Sequence, residues 1–281
     1  MALDPRYARS WLFTPADRPE RYPRPGGPDA DAVILDLEDA VAPDRKDFAR
    51  ACLGRLGADG PPVWVRVNDR AGEHWHADLR VAARLPVLAG VMLPKAEHPE
   101  AVTATAALLP AGTPVVALVE TSLGIENAFA VAAAPATFAL AFGVADFRRE
   151  TGLGDAPEAW AYPRTRLVVA SRAAGLRGPI DGPAMQLDAV DAVRQEAARG
   201  RAGGFTGKLC LHPAQIAPVN AAFGPDPAQL AWARRVLEHA ADSHGAAVRL
   251  DGEMIDRPRL EYARDLLATA AAQTGDGSAG R

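Results

Sequence analysis

Cysteine is scarce in this chain, with Cys52 and Cys210 the two among 281 residues. One bridge at most is available, so no disulfide framework holds the fold and a reducing compartment is expected. A surplus of positive charge is also lacking. Thirty-one Lys plus Arg stand against 35 Asp plus Glu, a net charge of −4, and such a balance supplies no basic field for a polyanion, excluding nucleic acid as the main partner. No apolar run approaches the roughly 20 residues of a membrane span. The opening MALDPRYARSWLF mixes charge among its apolar residues and presents no signal-peptide core, so a cytoplasmic protein with no membrane partner is expected. Internal repeats and linkers are absent as well. What remains is a chain with 48% hydrophobic and 23% charged residues, a globular composition with enough length for a sizeable core.

Short β-rich apolar runs alternate with segments of helical composition, the pattern of a parallel α/β architecture. Eight runs are found, at 10–13, 32–37, 63–67, 90–93, 115–119, 138–142, 179–181 and 207–211, and the seventh is the weakest. Eight strand–helix units in this length predict a (β/α)8 TIM barrel over residues 1–225. Helix signals include a stretch at 44–54 that closes on a glycine, and starts at Pro99 and Pro227. Residues 226–281 exceed what a barrel needs and are expected to form a C-terminal helical extension or lid. It comprises a helix through 228–244, a charged connector and a last helix over 258–272, and the small polar tail TGDGSAGR frays.

Strand after strand ends in charge, at the point where a barrel strand leaves the packed interior for the C-terminal loops. VILDLEDAV carries Asp36, Glu38 and Asp39; VWVRVN carries Arg66 and Asn68; VMLPK ends at Lys95, ALVET at Glu120, AFGVAD at Asp146 and GKLCLHP at His212. An acidic residue at the end of an apolar run needs a partner. One reading pairs Glu120 and Asp146 with Arg66 and Lys95 as structural salt bridges. The other makes two carboxylates and two cations a site, with Glu120 and Asp146 as a hard oxygen pair for Mg²⁺. No histidine pair has zinc-ligand spacing, and His74 and His76 fall in a loop. A Mg²⁺ with open positions would chelate a 2-oxo acid and polarise its carbonyl, with Arg66 steadying a nearby carboxylate or enolate oxygen.

These motifs, together with RSWLFTP, GFTGKLCLHPAQI and GEMIDRP, resemble in order and spacing the CitE-like branch of the citrate lyase beta subunit and HpcH/HpaI aldolase group, which includes malyl-CoA and citramalyl-CoA lyases. The resemblance covers most of the chain. It implies a (β/α)8 barrel, trimeric or a multiple of trimers, that uses Mg²⁺, with Mn²⁺ as an alternative, to make or break a carbon–carbon bond between an acyl-CoA and a 2-oxo acid. By similarity Glu120 and Asp146 bind the metal, and Arg66 binds substrate and stabilises a thioester enolate. Asp256 is delivered over the site by a neighbouring subunit as acid or base, although it also stands where a helix N-cap would, before Pro258. Asp36, Glu38 and Asp39 order metal-bound waters and Arg66, or serve as caps and ion-pair partners. Arg18, Arg21 and Arg24 form a basic cluster suited to CoA phosphates, or a solvated face. Lys95 assists the diphosphate or pairs with Glu120, and His212 is either a CoA-pocket wall or a structural histidine.

Two segments, RRETGLG after AFGVADF and PIDGPAMQLDAV around the seventh strand, depart from the family pattern, the second in lacking a tyrosine. The expected reaction is a Mg²⁺-dependent lyase acting on a 3-hydroxyacyl-CoA. The competing readings are a thioesterase on the same substrates, a CoA-independent 4-hydroxy-2-oxo acid aldolase, and a carrier-dependent citrate lyase beta subunit.

Overall fold

The computed structural model describes residues 3–24, 30–187, 189–241, 248–250 and 252–274. They divide into two compact units, one of Arg9–Ala222 and one of Met1–Ala8 with Phe223–Arg281. In the first, eight parallel strands close into a barrel in chain order. The strands are β1 (Ser10–Pro15), β2 (Ala32–Asp36), β3 (Val63–Arg66), β4 (Leu88–Leu93), β5 (Val115–Val119), β6 (Thr137–Phe142), β7 (Ile180–Asp181) and β8 (Gly207–Cys210). All eight expected runs are strands, and β1 pairs with both β2 and β8, which closes the ring. The weakest run is also the shortest strand, with Ile180 opposite Ala141 and two pairs to β8.

The helices of this unit are α1 (Lys46–Leu53), α2 (Trp75–Ala82), α3 (Pro99–Ala107), α4 (Ser122–Glu126), α5 (Ala128–Ala132), α6 (Val144–Thr151), α7 (Ala161–Ala173), α8 (Val190–Ala202) and α9 (Ile216–Phe223), the last residue of which falls in the second unit. The segment expected to be helical from residue 44 starts with a 3-10 turn at Pro43–Arg45 before α1. His74 and His76 are not in a loop, since His74 is the N-cap of α2 and His76 lies in its first turn.

Side chains alternate between the two faces of a strand, so residues two apart share one. Trp64 of β3 meets Trp11 of β1 edge-on, with ring centroids 5.1 Å apart, and Phe138 of β6 at 5.3 Å. Three non-adjacent strands can meet this closely only inside the barrel. Phe13 and Arg66, two residues beyond Trp11 and Trp64, therefore rise on the same inward face toward the C-terminal mouth, and the Arg66 guanidinium lies 4.5 Å over the Phe13 ring. Gly90 makes room for this floor: a Cβ there would stand 2.3 Å from Trp64 Cζ3 and 2.7 Å from the carbonyl oxygen of Pro114. Gly90→Ala is expected to cost about 3 kcal/mol by overpacking, measured as a fall in the denaturation midpoint. A midpoint equal to wild type would mean that Trp64 is not locked.

In the second unit, α10 (Pro227–Ala241) and α11 (Arg257–Thr274) flank an antiparallel pair, β9 (Val248–Leu250) and β10 (Glu253–Ile255). Ala233, Val236, Leu250, Ile255, Ala263 and Leu266 form its core, and Gln273 donates to the carbonyl of Tyr7. Helices stand where they were expected as far as residue 241 and over 258–272, residues 242–244 of the expected first helix lie outside the described residues, and the expected charged connector contains a hairpin. Its signal was legible in the alternation of VRLDGEMI around an Asp-Gly pair, with Gly252 at φ +85°. The expected tail lies, from residue 275, outside the described residues. Among those residues no helix is long and apolar enough to cross a membrane.

Candidate functional site

The mouth of the barrel gathers the charged strand ends in two clusters. In the first, Arg66, the last residue of β3, donates from Nε and Nη2 to the two oxygens of Asp36, at 2.7 and 2.5 Å. Asp36 is the last residue of β2, is fully buried, and also accepts from the main-chain N–H groups of Glu38 and Ala40. Arg66 Nη1 stands 2.9 Å from Glu38 Oε2, yet that oxygen has no aligned hydrogen bond. Burial opposes the charge on Arg66, but Asp36 and Glu38 outweigh it and raise its pKa. Burial pushes the Glu38 carboxyl up to about 7; Arg66 pulls it down, while Asp39 and Asp36 add to the rise.

The second cluster is Glu120, directly after β5, and Asp146. Glu120 is 3% exposed. Its Oε1 accepts the main-chain N–H of Lys95 at 2.9 Å, and among the described residues it has no ion-pair partner. Burial, then the nearby Glu38 and Asp146, push its carboxyl up to about 8 against the pull of the Lys95 N–H and Arg66. Gly143 makes this placement feasible, because a Cβ there would stand 2.3 Å from Glu120 Oε2. Asp146 does not end a strand as expected. β6 stops at Phe142, Gly143 caps α6, and Asp146 sits in the helix's first turn, paired with Arg149 at 2.7 Å.

The expected salt bridges between Glu120 and Asp146 on one side and Arg66 and Lys95 on the other do not form. Arg66 is taken by Asp36 and Glu38, and the Lys95 ammonium stands 3.5 Å from Asp69. Burial lowers the Lys95 pKa, but Asp69 and Glu38 together leave it raised. What Lys95 offers Glu120 is its backbone: at φ +47° it is the one non-glycine residue with positive φ among those described, and its N–H points at the carboxylate. Strain of this kind is kept where the surroundings over-determine it.

Other expected residues have partners of their own. His212 accepts from Ala214 N–H through Nδ1 in a capping box with Gln215. Arg18, Arg21 and Arg24 are exposed on the segment after β1, with Arg18 loosely beside Asp17 at 3.9 Å. Asp256 belongs to the other unit and accepts the N–H of Arg259 at the start of α11, as an N-cap does. Sequence reasoning missed Lys46, a buried lysine behind the Arg66 cluster. Its clue was a lysine eight residues past Glu38 in an otherwise exposed helix start.

A chamber of about 820 Å³ is lined by Val144, Arg148, Trp160, Asp181, Met185 and Lys208, among others. Both segments that depart from the family pattern contribute walls. Val144 and Arg148, one turn apart on α6, face it, whereas Glu150, one turn beyond Asp146, accepts the N–H of Ser122 after β5. The helix thus stands between the chamber and the β5 end.

Among the described residues no three His, Cys, Asp or Glu side chains gather into a metal cage. The donor set at Glu120 and Asp146 is purely oxygen, with the Glu120 carboxyl raised first by its burial and then by the nearby Glu38 and Asp146. Such a pair fits a small hard cation that keeps most of its waters, as Mg²⁺ does, and does not fit zinc.

A closed eight-stranded (β/α)8 barrel with an acidic, arginine-bearing cluster at its C-terminal mouth places the chain in the TIM-barrel class. More particularly, the chain belongs to the HpcH/HpaI aldolase/citrate lyase family, whose model matches residues 9–213. It is 36% identical to a citrate lyase subunit beta-like protein of Mycobacterium tuberculosis strain H37Rv (95% of this chain, 97% of that one). Identity is 35% with a (3S)-malyl-CoA thioesterase of Cereibacter sphaeroides (94% and 95%) and 30% with the mitochondrial citramalyl-CoA lyase of Homo sapiens (93% and 85%). The fold matches the crystal structure of CitE from Mycobacterium tuberculosis in complex with magnesium, acetoacetate and coenzyme A, with a TM-score of 0.80 at 35% identity over 95% of this chain and 99% of that one.

Proposed function

We propose that this chain is a Mg²⁺-dependent carbon–carbon lyase that cleaves, or in reverse forms, a 3-hydroxyacyl-CoA such as malyl-CoA or citramalyl-CoA, giving an acyl-CoA and a 2-oxo acid. The observation that carries the proposal is Glu120, a buried carboxylate with no ion-pair partner among the described residues, which lies near Asp146 and the guanidinium held by Asp36. Relatives named as a citramalyl-CoA lyase and a malyl-CoA thioesterase, and a structural neighbour holding magnesium and coenzyme A, support it. Glu120 and Asp146 would hold the Mg²⁺, with Mn²⁺ as a substitute; when bound, it supplies Lewis-acid polarisation of the oxygens on the 2-oxo acid half.

The remaining work falls to the chain. A base takes the proton of the substrate hydroxyl, the bond between the carbinol carbon and the adjacent CH₂ breaks, and its electron pair moves onto the thioester as an enolate. Arg66, its fork fixed by Asp36, presents positive charge to that oxygen without reorganising. Glu38, with a carboxyl near neutrality, is matched to proton transfer at physiological pH. Asp256, supplied by a neighbouring copy in a homotrimer or multiple of trimers, returns a proton to the enolate carbon. Arg18 and Arg21 provide cations for the CoA phosphates, while Lys95 would assist the CoA diphosphate, and His212 would stand in the wall of the CoA pocket.

The second reading, hydrolysis of the thioester, is favoured by the relative named as a thioesterase. Purified protein incubated with Mg²⁺ or with EDTA and malyl-CoA, citramalyl-CoA or 3-hydroxy-3-methylglutaryl-CoA separates the two. A 2-oxo acid or keto product without free thiol, lost in EDTA, is the expected result. Thiol release would establish the hydrolase, and no product on any substrate would overturn the proposal.

A further inference from the structure

We infer that Lys46 is a positioning residue: with Asn68 it clamps the Leu37–Glu38 main chain and so sets the angle at which Asp36 and Glu38 meet Arg66. Lys46 opens α1, is 7% exposed, and donates from Nζ to the carbonyl oxygens of both Leu37 and Glu38 at 2.7 Å. No carboxylate lies within ion-pairing distance of it among the described residues, although Asp36, Asp78, Glu38 and Asp39 surround it closely enough to act on its charge. Burying an ammonium is costly, and a methionine would fill the same space without that cost. The charge is spent on two main-chain oxygens, so geometry rather than packing is what it secures.

The clamp has a second jaw. Leu37 O also accepts Asn68 Nδ2 at 2.9 Å, and Asn68 is itself fixed by Asp78 of α2, which takes its side-chain and main-chain N–H groups at 2.6 and 2.8 Å. Arg50, one turn past Lys46 on α1, completes the frame by donating to the other Asp78 oxygen at 2.8 Å. Glu38 O is held by the N–H of Val41 as well, and Leu37 N–H donates to the carbonyl oxygen of Arg66. Two adjacent peptide units are therefore fixed from α1, from the end of β3 and from their own turn. The segment they fix runs from one carboxylate partner of Arg66 to the other, so a tilt of this turn moves Asp36 and Glu38 together.

The kinetic half of the test rests on the proposed lyase reading; the exchange half does not. In the full chain, Lys46→Met is expected to speed amide hydrogen exchange in the 37–41 segment at least about tenfold while leaving β5 and β6 at wild-type rates. With active sites counted, kcat is expected to fall about 10²-fold and KM to stay within about threefold, the signature of a misplaced group rather than lost binding. Asn68→Ala, which removes one of the two donors to Leu37 O, should show both effects in weaker form and decides the matter if Lys46→Met does not fold. Wild-type exchange in 37–41 would overturn the clamp. Faster exchange with unchanged kcat would reduce Lys46 to a structural lysine and overturn the positioning role. A wild-type protein silent on every substrate would sink the lyase reading while the exchange comparison still judged the clamp.

Discussion

Glu120→Gln is expected to lower Mg²⁺-dependent turnover by at least about 10³-fold, and at the same time to make the metal-free protein more stable above neutral pH. Both effects follow from one buried charge. In the metal-free chain the carboxyls of Glu38 and Glu120 are raised to about 7 and about 8 from an ordinary 4.5. Between these limits the folded chain holds protons that the unfolded chain has released. The stability these groups allow is fully present below about 4.5 and is lost as pH rises through 7 and 8. Thermal midpoints measured in EDTA should therefore fall from pH 5 to about 8 and level off above it, and Mg²⁺ should restore them in wild type. The glutamine variant keeps the acceptor for the Lys95 N–H but carries no charge to bury, so its decline should be shallower, with an advantage on the order of 2 kcal/mol at pH 8.5. A flat wild-type curve would show that Glu120 is not short of positive charge.

Arg66→Lys should cost about 10² to 10³ in kcat/KM while leaving Mg²⁺ affinity within about threefold. A lysine keeps the charge but not the fork: it cannot make the parallel bonds to both Asp36 oxygens, reach Glu38 as well and lie flat over Phe13. The guanidinium is placed to meet charge that develops on the substrate, and loss of one such preorganised donor typically costs this much in rate. Titration with Mg²⁺ beside steady-state kinetics checks it. A large loss of metal affinity would instead assign Arg66 the task of arranging the carboxylates.

The barrel was readable because a strand buried on both faces has to be a short apolar run, and because the point where it must leave the core shows as abrupt charge. Val115–Val119 followed by Glu120 is the clearest instance. Where the reading failed, main chain was acting in place of side chains. AFGVAD reads as one continuous run that puts Asp146 at a strand end, yet Gly143 ends the strand to clear Glu120 and lets a helix begin. Lys95 was expected to contribute its ammonium, whereas what reaches Glu120 is its amide, turned by a positive φ that composition does not reveal. Lys46 has carbonyl oxygens as its partners, and these leave no mark in a sequence. The β9–β10 hairpin differs in that its Asp-Gly signal stands in the sequence itself.

The two-residue length of β7 has a dynamic meaning. With one register pair toward β6 and two toward β8, the hydrogen-bonded hoop is thinnest there, and opening fluctuations that cost less than global unfolding should concentrate at that seam. The arc from β1 through β6, which includes the strands leading to Asp36, Arg66 and Glu120, has at least three pairs at every junction. The ring can therefore breathe at β7 while the spacing between the guanidinium and the buried carboxylates stays constant.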